Sequence, residues 1–243
     1  MLYRFDIHLQ SDVRPSVHWG SLMHGILNGI LPPPWPDFLH TDTDRCLCQF
    51  VEPLDARTAV WHICVTDDGL ASAIANVLSQ SDTLYCRHFS GELRITGRNG
   101  LQTGIKELFD RASSCRSAAV RLQAVSPVSH KSHGVFITLP SIECIVNSII
   151  RKASAFLPEC ALPVEDELTR MLSACRVGKY DLHSVTYQLE GHYVPSWQGH
   201  LQIVLPADEY LHSLACAVFQ LAEYTGIGIK TSLGMGGCKV EFQ

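Results

Sequence analysis

The same order of strand-like and helix-like segments occurs twice along the chain, and this repetition constrains the fold more than any other feature. In the first half, strand patterns at residues 2–9, 44–51, 58–65 and 83–89 surround helical patterns at 16–30 and 67–78. The second half repeats this order with a strand at 119–125, a helix at 140–156, a hairpin at 185–205, a helix at 208–224 and the closing strand CKVEF. Two successive β-α-β-β-α-β units predict an α+β fold of tandem ferredoxin-like (RRM-like) domains.

A stretch rich in glycine, serine and arginine separates the two units. We therefore predict an N-terminal ferredoxin-like domain at residues 1–95, a linker at 96–117 and a C-terminal ferredoxin-like domain at 118–243. The first helix ends at three consecutive prolines, because proline cannot continue a helix.

Composition limits the class of protein. We find no run of about 18 apolar residues and no leader pattern at Met1, so we expect a cytoplasmic protein without a membrane span. The 10 cysteines form no C-x-x-C pair, so we expect buried free thiols, without zinc or another cofactor. The net charge of −5 argues against a general nucleic-acid binder, yet residues 87–121 hold seven basic residues against three acidic ones.

Five glycines fall within residues 226–237, between the last helix and the last strand. A Walker phosphate loop has the opposite context, since it follows a strand and precedes a helix. A simple turn is the other alternative, but it needs only one or two glycines. We interpret the run as a loop whose backbone lies against RNA phosphates. The predicted RNA-binding residues in it are Gly226, Gly228, Lys230, Thr231, Ser232, Gly234 and Gly236.

This run, TGIGIKTSLGMGGCKV, resembles the C-terminal signature of the CRISPR-associated repeat-processing endoribonucleases. These form the sixth numbered Cas family, in the repeat-associated mysterious protein (RAMP) superfamily. The spacing G-x-G-x₅-G-x-G before a strand carries most of the resemblance, and the segments HWGSLMHGILNGI and DFLHTDTDRCLCQF agree with it. The resemblance implies a tandem ferredoxin-like fold, as the pattern already indicates.

The resemblance also implies a reaction, which is metal-independent cleavage of precursor CRISPR RNA within each repeat. A ribose 2′-OH attacks the adjacent phosphate and leaves a 2′,3′-cyclic phosphate and a 5′-OH end. The implied partners are precursor CRISPR RNA and other Cas proteins of a surveillance complex, with the chain acting as a monomer or homodimer. No membrane partner is expected.

This chemistry needs a base for the 2′-OH proton and an acid for the 5′-oxygen, and histidine can serve as either near neutral pH. The resemblance places the catalytic residues beside the first helix. It assigns His40 as general base or acid, His24 as its partner and Arg45 as charge stabiliser. Arg45 stands where the family has a lysine, and Asn28 where it often has a tyrosine. The alternatives are a packed helix histidine for His24 and an ordinary surface histidine for His40.

Two further positions are candidates for RNA contact. Lys131 lies between His130 and His133 in a small cationic patch, and we predict that it binds RNA. Trp197 could stack on a base or pack inside the protein.

Two other functions fit the same fold. One is a non-catalytic RNA-binding RAMP subunit of a CRISPR effector complex, and the other is a metabolite-binding tandem ferredoxin-like protein. The histidines near the first helix favour the endoribonuclease over the binding subunit, and failure of repeat RNA to bind at low salt would support the metabolite-binding protein.

Overall fold

A computed structural model describes residues 1–41, 46–156, 165–189 and 191–243 of the chain. The strands are β1 (Leu2–Gln10), β2 (Leu47–Pro53), β3 (Thr58–Val65), β4 (Thr83–Cys86), β5 (Gly91–Thr103), β6 (Ala119–Val128), β7 (His130–Ser132), β8 (Val135–Ile137), β9 (Arg176–Leu189), β10 (His192–Val204) and β11 (Cys238–Phe242). The helices are α1 (Gly20–Ile30), α2 (Trp35–Thr41), α3 (Asp68–Ser79), α4 (Ile105–Ser114), α5 (Ile142–Phe156), α6 (Glu165–Ala174) and α7 (Glu209–Thr225).

The first sheet has the strand order β2-β3-β1-β5-β4, with antiparallel neighbours throughout. Its first four strands are those of a ferredoxin-like unit, and β4 is added at the edge. Two side chains cap helical turns beside this sheet. Ser16 accepts a hydrogen bond from the His18 amide (3.2 Å) ahead of α1, and Asp67 accepts one from the Leu70 amide (2.7 Å) at α3.

The prediction for the closing strand of this sheet is wrong. Residues 83–89 were expected to complete it, but β4 covers only Thr83–Cys86, and the central place beside β1 belongs to β5. The sequence of β5 is rich in arginine and glycine because most of its side chains face outward, with only Leu93, Ile95 and Thr103 buried. The stretch predicted as a linker, residues 96–117, contains the end of β5 and all of α4. The domain bounds stay a prediction.

The second sheet has the order β11-β6-β10-β9, which is the strand order of a complete ferredoxin-like unit. Helix α7 begins at Asp208, whose side chain accepts a hydrogen bond from the Leu211 amide (2.9 Å). The helix then packs against α4, α5 and α6. The predicted tandem ferredoxin-like fold is therefore confirmed. Among the described residues, no helix combines the length and apolarity that crossing a membrane requires.

The two halves share one hydrophobic core. The face of the first sheet that lies away from α1 and α3 contributes Leu2, Cys48, Phe50 and Cys64 to the cluster that contains α7 and β6. A second cluster lies between that sheet and its own helices. Nine cysteines of the described residues are free thiols, and most of them are buried in these cores, as the sequence indicates.

Candidate functional site

The two predicted catalytic histidines lie on neighbouring helices with very different exposure. His40 is exposed in the last turn of α2, while Leu39 before it is fully buried and anchors the helix. His24 lies on the buried side of α1 with Met23 and Leu27, and only 7% of it is exposed. Helices α1 and α2 contact each other. The side chain of His40 is thus accessible from solvent, whereas that of His24 packs inside the protein.

Arg45, the predicted charge stabiliser, lies outside the described residues. Another histidine, His18, lies just before α1 and is exposed to solvent. Its Nδ1 accepts a hydrogen bond from the Gln188 amide (3.3 Å), and its ring centroid lies 5.1 Å from that of Tyr187. Partial burial lowers the pKa of His18. This histidine therefore links the start of α1 to β9 of the other half.

The glycine-rich loop, residues 226–237, needs glycine for its backbone path. Gly226, Gly228, Gly234 and Gly236 have φ values of 66°, 80°, 97° and 72°, a region that residues with side chains rarely adopt. A Cβ at Gly226 would lie 2.7 Å from the Cys48 sulfur, and one at Gly236 would overlap the Ile227 carbonyl. The glycines therefore satisfy both backbone conformation and close packing.

Several amides of the loop are already used within the protein. The Gly226 amide donates to the Ala222 carbonyl (2.9 Å), that of Gly228 to Ser148 Oγ (3.0 Å), and that of Gly236 to the Pro127 carbonyl (2.9 Å). These three amides are thus not free to bind phosphate, contrary to the simplest form of the sequence interpretation.

The loop forms a joint between the halves, which we define as Gly20, Gln49, Tyr187, Ser232 and Gly234. A Cβ on Gly234 would fall on the Cα of Gly20 and 2.6 Å from the Tyr187 hydroxyl. The fully buried Gln49 donates to the carbonyls of Gly20 and Ser232, both at 2.7 Å. It also accepts a hydrogen bond from the indole N–H of Trp61 (2.7 Å). The joint was missed in the sequence, where Gln49 is one polar residue inside an apolar strand.

The other predicted RNA contacts of the loop differ in accessibility. Thr231 and Ser232 are each 1% exposed, whereas Lys230 is half-buried and has a left-handed backbone (φ 56°). Lys131 is exposed on β7, and its Nζ lies 5.5 Å from the centroid of the Phe136 ring. Trp197 is 1% exposed within the shared core, so of the two alternatives it packs inside the protein.

A network of four ionisable side chains, Asp6, His62, Glu52 and Lys239, runs from the first sheet to β11. His62 Nδ1 lies 2.6 Å from Asp6, its Nε2 lies 3.0 Å from Glu52, and Glu52 binds the Lys239 ammonium at 2.5 Å. Burial raises the pKa of Asp6, but hydrogen bonds from His62 and Arg4 outweigh it and lower the pKa to about 2. Hydrogen bonds from His62 and Lys239 lower the pKa of Glu52 to about 2. Within the described residues, no group of His, Cys, Asp and Glu is arranged to hold a metal ion.

Residues 122–238 match the family described as CRISPR-associated endoribonuclease Cas6. A Cas6 endoribonuclease from Streptococcus thermophilus is 28% identical over 116 residues, which are 48% of each chain. One from Mycobacterium tuberculosis is 23% identical over 230 residues, covering 91% of this chain and 71% of the relative. The match therefore spans about half of the first relative's length.

A solved structure of a Cas6 product complex superposes with a TM-score of 0.77 and covers 99% of this chain and 100% of that one. Its sequence identity of 18% makes it evidence for the fold alone. The resemblance seen in the sequence is confirmed: residues 122–238 match the Cas6 family of CRISPR-associated endoribonucleases, and the chain folds like a solved Cas6 over nearly its whole length.

Proposed function

We propose that the chain is an endoribonuclease that cleaves precursor CRISPR RNA within its repeats and so produces guide RNA. The Cas6 family match and the relatives in two organisms support this activity. The observation that carries the proposal is the exposed imidazole of His40 at the end of α2, which is accessible without any change of fold.

The proposed reaction begins with removal of the ribose 2′-OH proton by a general base. The resulting oxygen attacks the adjacent phosphorus, and the bond to the 5′-oxygen breaks as a general acid gives that oxygen a proton. The products are a 2′,3′-cyclic phosphate and a 5′-OH end, and the proposed reaction uses no metal ion. His40 takes one of the two proton-transfer roles.

His24 and Arg45 have supporting roles in this proposal. The burial of His24 keeps it from direct RNA contact in this conformation, so it ranks behind His40 as the second proton carrier. Arg45 follows α2 by four residues, and as a permanent cation it would stabilise charge on phosphorus rather than transfer a proton. The proposed RNA-binding cations are Lys230, which is half-buried, and Lys131, which is exposed.

The experiment uses labelled repeat RNA from the same genome, in buffer with EDTA. The all-ribose RNA should be cut once per repeat, leaving a cyclic phosphate at the 3′ end. A matched RNA with a single 2′-deoxy nucleotide at the cleavage position should bind equally well and remain uncut, because it lacks the attacking hydroxyl. Cleavage of the deoxy RNA, or cleavage only with added Mg²⁺, would contradict the mechanism. Tight binding of both RNAs without any cleavage would favour the non-catalytic RNA-binding subunit.

A further inference from the structure

A cavity of about 410 Å³ lies between the β7–β8 hairpin, the first turns of α5 and the glycine-rich loop. This volume lies within the range of small-molecule sites, roughly 300–1,000 Å³. Gly228 and Ile229 form part of its wall, so the cavity opens beside the loop that identifies the family. None of its lining residues belongs to the His40 region.

The rim of the cavity carries more positive than negative charge. Lys131 on β7 and Arg151 on α5 are both exposed cations on the rim, against one carboxylate, Glu143. Glu143, Asn147 and Arg151 are four residues apart, so they line one side of α5. An anion with a polar group attached to it would match this lining.

His130 provides a second, independent indication of a ligand. The residue is only 6% exposed and lines the cavity, and within the part of the chain that the structure describes its Nε2 has no hydrogen-bond partner. Burial first, and then the nearby Lys152 and Arg151, lower the pKa of His130 to about 4, so the ring is neutral at neutral pH. Buried polar groups in folded proteins nearly always have partners, so an unpaired one that lines a cavity is a candidate contact for a bound molecule.

The floor of the cavity is fixed by hydrogen bonds. Ser148 Oγ donates to the Ile145 carbonyl (2.7 Å) and accepts from the Gly228 amide (3.0 Å). The Ile229 amide donates to the Ser129 carbonyl (2.9 Å). Helix α5, the residue that precedes β7 and the glycine-rich loop are therefore tied together around the cavity, which gives a preformed site.

We propose that this cavity binds one ribonucleotide of the RNA strand, its phosphate at Lys131 and Arg151 and a sugar or base polar group at His130. A neutral imidazole suits a hydroxyl or a base edge, whereas the two cations suit the phosphate. The inference rests on the proposed function only in taking RNA as the source of the nucleotide. It makes the cavity a binding site, separate from the cleavage residues.

The first test measures binding of the 2′-deoxy-substituted repeat RNA by fluorescence anisotropy, so that cleavage cannot interfere. Arg151→Ala should weaken binding about 10-fold or more, the loss expected for one charge-assisted hydrogen bond. Arg116→Ala is the matched control, because this arginine has a side chain 70% exposed and is not among the residues that line the cavity. Equal affinities for Arg151→Ala and Arg116→Ala would overturn the proposal.

The second test follows the ring nitrogens of His130 by NMR as uridine 5′-monophosphate or the RNA is added. A shift of the Nε2 signal with RNA in the wild type, absent in Arg151→Ala, supports the proposal. A shift with the mononucleotide but none with RNA overturns it, since the source would then be a free nucleotide. If RNA binds in the cavity but is never cut, only the proposed function fails. If RNA is cut and Arg151→Ala leaves KM unchanged, only the cavity proposal fails.

Discussion

Gly25 and Gly29 of helix α1 and the glycines of the glycine-rich loop lie in opposite surroundings. A Cβ at Gly25 or Gly29 on α1 would have no atom within 4 Å outside its own helix backbone and chain neighbours, so nothing in the packing requires glycine there. In the loop, a Cβ at Gly234 would fall on the backbone of Gly20 in the other half. The loop that identifies the family is therefore used for packing, whereas the exposed histidine proposed for catalysis lies on α2.

The largest effect is expected from Gly234→Ala. The substitution forces a side chain into a left-handed backbone at φ 97° and against Gly20 and Tyr187. It should lower the free energy of unfolding by about 3–5 kcal/mol, as measured by urea denaturation. Gly25→Ala is the matched control and should raise stability by up to about 1 kcal/mol, since alanine is the better helix former. Equal effects of the two substitutions would remove the distinction between the two sets of glycines.

A smaller loss is expected from Gln49→Leu, which removes the side chain that bridges the halves. Leucine leaves the Gly20 and Ser232 carbonyls and the Trp61 indole without this partner. The expected destabilisation is about 3 kcal/mol. Each unpaired buried polar group costs about 1–3 kcal/mol, and small movements that give some of these groups new partners reduce the total. Gln102→Leu, at an exposed position of β5, serves as the control. If both variants unfold at the same urea concentration, the hydrogen bonds of Gln49 do not contribute to stability as predicted.

The network of ionisable side chains from Asp6 to Lys239 predicts that the stability of the protein depends on pH. The folded pKa values of Asp6 and Glu52, both about 2, lie below their ordinary values of 3.8 and 4.5. The unfolded state therefore binds more protons at low pH, so this stabilisation is present above about pH 5 and is lost as the pH falls toward 2. Each carboxylate contributes on the order of 2 kcal/mol.

The measurement for this prediction is the free energy of unfolding between pH 6 and pH 2.5. Glu52→Gln should flatten the curve, whereas Glu92→Gln should leave its main slope in place, since Glu92 is an exposed residue of β5. A wild-type free energy of unfolding that does not change over this range would show that the network of ionisable side chains does not hold the halves together.

The sequence predicted the fold well where the pattern of buried side chains determines the strand. Strand β3 has a strongly apolar sequence, so it was found. The helices predicted at 67–78 and 208–224 correspond to α3 and α7. Strand β5 was missed because its backbone pairs with β1 while most of its side chains face solvent. Its arginines and glycines have the composition of a loop.

The candidate site was predicted less completely, for a physical reason. The glycine run was recognised, but a pattern of glycines cannot show whether their close neighbour is RNA or another part of the chain. Here that neighbour is Gly20, more than 200 residues earlier in the sequence. Ser232, a partner of Gln49, and Asp6, a partner of His62, are likewise distant in sequence, at 183 and 56 residues, and only the fold brings them together.

The most direct test of the account separates chemistry from packing at His40. Initial cleavage rates of labelled repeat RNA in EDTA are measured for the wild type and for His40→Ala, beside the urea midpoint of each protein. We predict equal midpoints, because the side chain is exposed, and cleavage at least about 100-fold slower in His40→Ala, the loss expected for a general acid or base. Cleavage by His40→Ala at the wild-type rate would contradict the account.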